Sequence, residues 1–302
     1  MLSRMFRLTA ALIVLGVLPS LRATAPDFAH AASDLRPDPA ARFGALPSGL
    51  RYIILPNAEP RERVSLRLIV QAGAFMETES QRGLAHFLEH MAFKGSTHYP
   101  PGTLIEFFQR MGMGFGNDTN AYTGFDQTVY MIELPDNGEG SLAEGLRVLA
   151  DYAGGMLIQD DQLEPERGVI MAEERTRDTV GFRALVAELN FLYPDTLLPH
   201  RLPIGLMDVV RTAPREEFVD FYDTWYRPEL MTVLVVGDVT PEVIEPLLRS
   251  GFEGLTARAP ARPQPDLGTI VPFEGLRGRH HHEPEAVATT VAIELAASCR
   301  PF

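Results

Sequence analysis

Residues 64–94 read VSLRLIVQAGAFMETESQRGLAHFLEHMAFK. The first seven alternate: Val64, Leu66, Leu68 and Val70 are apolar, with Ser65, Arg67 and Ile69 between them. That period of two predicts a strand over Val64 to Gln71 with one buried face. Gly73 and the polar run Glu77-Thr78-Glu79-Ser80 then break the pattern. From Gln81 to Lys94 the period lengthens, with Leu84, Phe87, Leu88 and Met91 at helical spacing. This predicts a helix that Ser80 could cap and that stops near Gly95.

The polar positions of that helix carry the chemistry. His86 and His90 are four apart and share a helix face, so both imidazoles can reach one metal ion. Glu89 lies three residues after His86, beside them. A catalytic zinc takes three protein ligands and keeps a fourth position for water, whose proton a nearby carboxylate can accept. The His-x-x-Glu-His order is the inverzincin arrangement. His86 and His90 are the expected zinc ligands and Glu89 the expected general base. The bland alternative is two surface histidines beside an unrelated glutamate, and the apolar stripe on the opposite face argues against it. A third ligand must come from elsewhere. The helix expected over Glu164 to Asp178, with Pro165 in its first turn, offers Glu166, Glu173 and Glu174. Periodicity does not choose among them, and a glutamate-rich helix is more often a solvated face.

Outward from this segment, Leu50 to Leu55, Thr119 to Thr123, Gln127 to Leu134 and Thr232 to Val236 have strand character. Helical patterns run over Thr103 to Met111, Ser141 to Met156, Phe182 to Leu192, Pro214 to Tyr226 and Pro241 to Leu248, with a glycine-rich loop from Gly112 to Gly116. Thr289 to Leu295 reads as a last strand. Residues 256–268, rich in Pro, Ala and Arg, read as a long connection.

At 302 residues the chain is long enough for a sizeable core. Its formal charge of −13, without a basic cluster, argues against nucleic acid as a partner. A single cysteine, Cys299, excludes an intrachain disulfide. The N-terminus has Arg4 and Arg7 ahead of an apolar run from Leu8 to Leu21, then Ala29-His30-Ala31. This is the layout of a secretory signal peptide over 1–31, and it makes a periplasmic location the expectation; a retained membrane anchor is the alternative. Residues 32–45 read as a linker, 46–195 as a zinc-binding subdomain and 196–302 as a second, truncated one.

His86 to Tyr99 (HFLEHMAFKGSTHY) resembles the zinc-motif helix of the pitrilysin/insulinase family. Asn120-Ala121-Tyr122-Thr123, followed by Asp126 to Tyr130, resembles its active-site edge strand. Glu166-Arg167-Gly168-Val169-Ile170-Met171-Ala172-Glu173 is similar to its third-ligand helix. Phe221 to Pro228 and Val235-Val236-Gly237-Asp238 match later landmarks. The resemblance implies an α+β fold, a mixed or antiparallel sheet with helices packed on one side. It implies a zinc-dependent endopeptidase acting on peptides or partly unfolded proteins through a zinc-activated water. Carried over, Glu173 becomes the third zinc ligand and Glu166 a residue that orients a ligand histidine. Asn120 and Ala121 become part of the strand that binds an extended peptide; turn chemistry near Gly116 is the bland reading of that asparagine. The family has two homologous halves, and this sequence resembles most of the first. The chain is therefore expected to need a second half or a partner chain for activity, or else to bind zinc and peptides without turnover.

Overall fold

The computed structural model describes residues 28–114, 116–271 and 275–294. Most of the expected signal peptide, 1–27, lies outside them. The alternating stretch forms a strand, β3, and its four apolar residues are all buried. Five more strands join it: β1 (Arg42–Ala45), β2 (Arg51–Pro56), β4 (Thr119–Thr123), β5 (Thr128–Leu134) and β6 (Met231–Gly237). The sheet order is β1-β2-β6-β3-β5-β4. Only β2 and β6 run parallel; every other neighbour is antiparallel.

Register follows from burial. Leu66 faces Ile132 on one side and Val235 on the other, and Leu68 faces Tyr130 and Val233, all buried. A one-residue slip would send each of these rows to the other face of the sheet. On that other face Arg67 and Ser65 both bond to Glu133, at 2.6 and 3.2 Å.

The described helices are α1 (Leu84–Met91), α2 (Thr103–Arg110), α3 (Glu139–Gly154), α4 (Asp160–Arg177), α5 (Val180–Leu192), α6 (Met207–Thr212), α7 (Arg215–Trp225) and α8 (Pro241–Gly251). Helix α3 packs on β3 and β5, α8 on β2, and α1 on β4 and β5 with α4 and α7 beside it. This is the expected α+β architecture, with the helices on one side of a mixed sheet.

Several expectations change. Helix α1 starts at Leu84, not Gln81, because Gly83 has φ 104°. Residues Glu79–Gln81 make a separate tight turn. Thr78, not Ser80, closes it: the Thr78 N–H donates to Gln81 Oε1 at 3.3 Å. Helix α4 begins at Asp160, so Pro165 lies in its second turn rather than its first. The expected linker 32–45 ends in a strand, β1 pairing with β2, and the short helix α6 has no counterpart in the sequence reading. Residues 289–294 are exposed and irregular, not a strand, and among the described residues nothing pairs with them; Leu295, the end of the expected strand, lies outside the described residues. The expected boundary at 195/196 does not divide the sheet, since β6 lies between β2 and β3.

The start of α1 is fixed by two contacts. Gly205 approaches Gly83 so closely that a Cβ on Gly205 would lie 2.2 Å from the Gly83 Cα. Glu77, 5% exposed, reaches forward and accepts the Ala85 N–H at 2.9 Å, satisfying a donor that the first turn of a helix leaves unpaired. Burial pushes the Glu77 carboxyl up to about 8, against the opposing Ala85 and Gly83 N–H bonds. Between the ordinary carboxylate value and about 8 the folded chain holds a proton that the unfolded chain has released. Stability therefore falls as pH rises through that window. The effect is bounded at roughly 5 kcal/mol. Glu77→Gln stays neutral and is expected to lack this slope. Urea unfolding at pH 5 and pH 8 should show wild type losing more stability than the variant; parallel losses would contradict the assignment.

Candidate metal centre

Helix α1 buries its apolar side completely: Leu84, Phe87 and Leu88 are inaccessible to solvent and Met91 nearly so. Its other side turns His86 and His90 toward Glu173 of α4, while Glu89 meets Thr123 of β4. There Glu173 Oε2 lies 3.6 Å from His86 Nε2 and 3.6 Å from His90 Nε2. The three candidate ligand atoms all fall within 4.8 Å of one another. Zinc bonds of about 2.0–2.2 Å in a tetrahedron separate neighbouring ligand atoms by about 3.3–3.6 Å. Two imidazoles and a carboxylate at this spacing fit a zinc ion. Among the described residues, no other group of three or more His, Cys, Asp or Glu converges in this way.

The remaining acids of α4 take different places. Glu166, 3% exposed, sits on the far nitrogen of His90, with Oε1 2.8 Å from Nδ1. Its other oxygen receives Lys94 Nζ at 2.7 Å. A histidine held at Nδ1 by a carboxylate presents Nε2 in a fixed direction. Glu174 lines a separate groove with Asp178, Phe182 and Arg183. Lys94, at the end of the expected helix, thus belongs to the surroundings of the site. Among the described residues His86 has no such holder: its Nδ1 is buried and without a hydrogen-bond partner there.

Electrostatics favours neutral imidazole. Burial first, and the neighbouring His90 second, lower His86 to about 4. Metal ligation requires that unprotonated form. Burial raises the Glu166 carboxyl, but the bonds from His90 and Lys94 outweigh it and leave the group below its ordinary value. Glu89, 8% exposed, moves the other way: burial raises its carboxyl, and the hydrogen bond from Thr123 only partly offsets this.

Strand β4 is one of the two outer strands of the sheet and passes beside α1. Thr123 Oγ1 donates to Glu89 Oε2 at 2.6 Å, tying strand to helix. The Glu133 N–H donates to Asp118 O, and the Gly124 N–H to Gln127 O. In an antiparallel pair such bonds recur at every second residue. Asn120 and Tyr122 therefore turn their backbone groups to β5, whereas Ala121 and Thr123 turn theirs to the free edge. The Asn120 side chain closes on its own surroundings: Oδ1 accepts the Ala121 N–H at 2.9 Å and Nδ2 donates to Gly116 O at 3.4 Å. Sequence reading singled out Asn120 and Ala121 but not Thr123. The available signal was parity, since Thr123 shares the orientation of Ala121. His98, without a partner pattern in the sequence, bonds to Asp151 at 2.7 Å.

The profile described as "Insulinase (Peptidase family M16)" matches residues 52–187, and that described as "Peptidase M16 inactive domain" matches residues 212–297. The chain belongs to the insulinase (peptidase M16) family. Among M16 relatives, it is 37% identical over 218 residues to "Probable zinc protease PqqL" of Escherichia coli, covering 72% of this chain and 23% of that protein. It is 32% identical over 255 residues to "Zinc protease PQQL-like" of Arabidopsis thaliana, covering 84% of this chain and 26% of that protein. The crystal structure of the first half of the periplasmic protease PqqL from Escherichia coli superposes with a TM-score of 0.74 at 34% identity, covering 78% of this chain and 50% of that one. The chain thus spans about a quarter of the length of these two curated relatives. Its fold is that of the M16 family.

Proposed function

We propose that this chain carries the catalytic centre of a zinc metalloendopeptidase acting on peptides or partly unfolded proteins. The observation that carries the reading is Glu173 Oε2, placed equally far from the Nε2 atoms of His86 and His90. These three side chains would hold the zinc. Bound there, zinc supplies Lewis acidity toward the scissile carbonyl and makes water a better proton donor.

Glu89 is the general base. Its raised proton affinity suits a group that takes a proton from the attacking water and passes it to the leaving amine. Thr123 holds Oε2 and fixes the carboxyl plane. Glu166 orients His90, and Lys94 holds Glu166. The free edge of β4 binds an extended peptide by strand addition, through the backbone groups of Ala121 and Thr123. Asn120 holds its end of that edge through its own side-chain bonds.

The reading extends to the rest of the chain. Residues 1–31 direct export to the periplasm, residues 46–195 carry the zinc site and residues 196–302 form a second, truncated subdomain that lends β6 to the sheet. The likeness to the first half of the protease PqqL supports an active protein that includes a second half or a partner chain.

A quenched peptide tests the activity. With the second half or partner chain present, hydrolysis is expected to stop on treatment with a zinc chelator and to return on adding zinc. Hydrolysis that persists in the chelator contradicts the reading.

A further inference from the structure

Arg177 follows Glu173 by one helical turn on α4, and its side chain is 52% exposed. In most exposed pairs of this spacing the donors and acceptors exchange freely and contribute little. Here the donors converge: Nε and Nη2 both bond to Glu173 Oε1, at 2.9 and 2.5 Å. The opposite oxygen, Oε2, is the one that lies 3.6 Å from both histidine nitrogens. The carboxylate is divided, one oxygen for the guanidinium and one for the ligand set.

We propose that Arg177 is a positioning residue for Glu173, holding Oε1 so that only Oε2 ligates the zinc. This rests on the reading of His86, His90 and Glu173 as the metal centre. A carboxylate free to rotate can bind an ion through both oxygens and occupy the coordination position that water needs. Pinning Oε1 prevents that and fixes the direction of Oε2 in advance.

Two effects of Arg177 oppose each other. Its positive charge repels a dication, while its fork orders a ligand. The guanidinium is half exposed, so solvent screens the repulsion. Removing a group that orients a ligand typically weakens metal binding by about 10–100-fold. Geometry should therefore win. Lysine keeps the charge but cannot present two fixed donors to one oxygen.

The test measures zinc affinity by competition with a chromophoric chelator for wild type, R177A, R177K and E173Q, together with the melting temperature of each metal-free protein. R177A is expected to bind zinc about 10–100-fold more weakly, with R177K between it and wild type. Metal-free melting temperatures should stay close to wild type, which separates ligand positioning from support of the helix. Affinity of R177A equal to or tighter than wild type would overturn the proposal. So would full rescue by R177K, which would make Arg177 a charge alone. Weakening of E173Q with no change in R177A would remove the role of Arg177 and leave the metal centre intact. Unchanged zinc binding by E173Q would remove both.

Discussion

Glu89→Gln is expected to keep its zinc and to lose peptide hydrolysis by at least about 10²–10⁴-fold, the range a positioned acid–base group supplies. Glutamine has the same shape and can still accept the Thr123 hydroxyl at the position of Oε2. It cannot take a proton. Glu89 is not among the three atoms that converge on the metal position, so zinc content should not change. Metal analysis beside a quenched-peptide assay checks both halves. Loss of zinc from this variant would make Glu89 a ligand, and retained hydrolysis would make it a bystander.

Gly205→Ala should have the largest effect on stability. Gly205 has φ 76°, a backbone conformation that costs an L-residue roughly 1–2 kcal/mol. The new methyl would also lie 2.2 Å from Gly83 Cα and 2.6 Å from Arg82 O. Both are backbone atoms and cannot rotate aside. Overpacking of this kind adds roughly 1–3 kcal/mol, so a total of roughly 2–5 kcal/mol is expected in urea unfolding. Gly102→Ala provides the comparison. Gly102 has φ 83° but nothing within 4 Å of an added Cβ, so only the conformational cost applies. Equal losses for the two variants would show that the contact with Gly83 does not matter. Because that contact sets where α1 begins, Gly205→Ala should also disturb the spacing of His86 and His90 from Glu173.

The sequence made the local features legible and left the long-range ones open. Alternation over 64–70 identified β3 and its buried face, because one side of the sheet is covered by helices and the other is not. Helical spacing placed His86, Glu89 and His90 on one face without any tertiary information. The third ligand was different. Glu173 and Glu174 are adjacent, and only the packing of α4 against α1 separates the residue facing the histidines from its neighbour in the groove. The family resemblance pointed to Glu173 where periodicity did not.

Other misses share that cause. Gly83 makes α1 start late, at Leu84, where the distant Gly205 packs against it, and nothing local to Gln81 signals this. β1 lay hidden at the end of a proline-rich stretch because its only partner in the sheet is β2. Residues 289–294 misled for the opposite reason: they are rich in Thr, Val and Ile, yet among the described residues no strand pairs with them. The link between Thr123 and Glu89 crosses 34 positions and leaves no trace in local pattern.

The most direct measurement is zinc stoichiometry after extensive dialysis, for wild type, Glu89→Gln and Glu173→Gln side by side. One zinc per chain in the first two, and loss or marked weakening in the third, is the expected result. Zinc held equally by all three, or by none, would contradict a centre built from His86, His90 and Glu173.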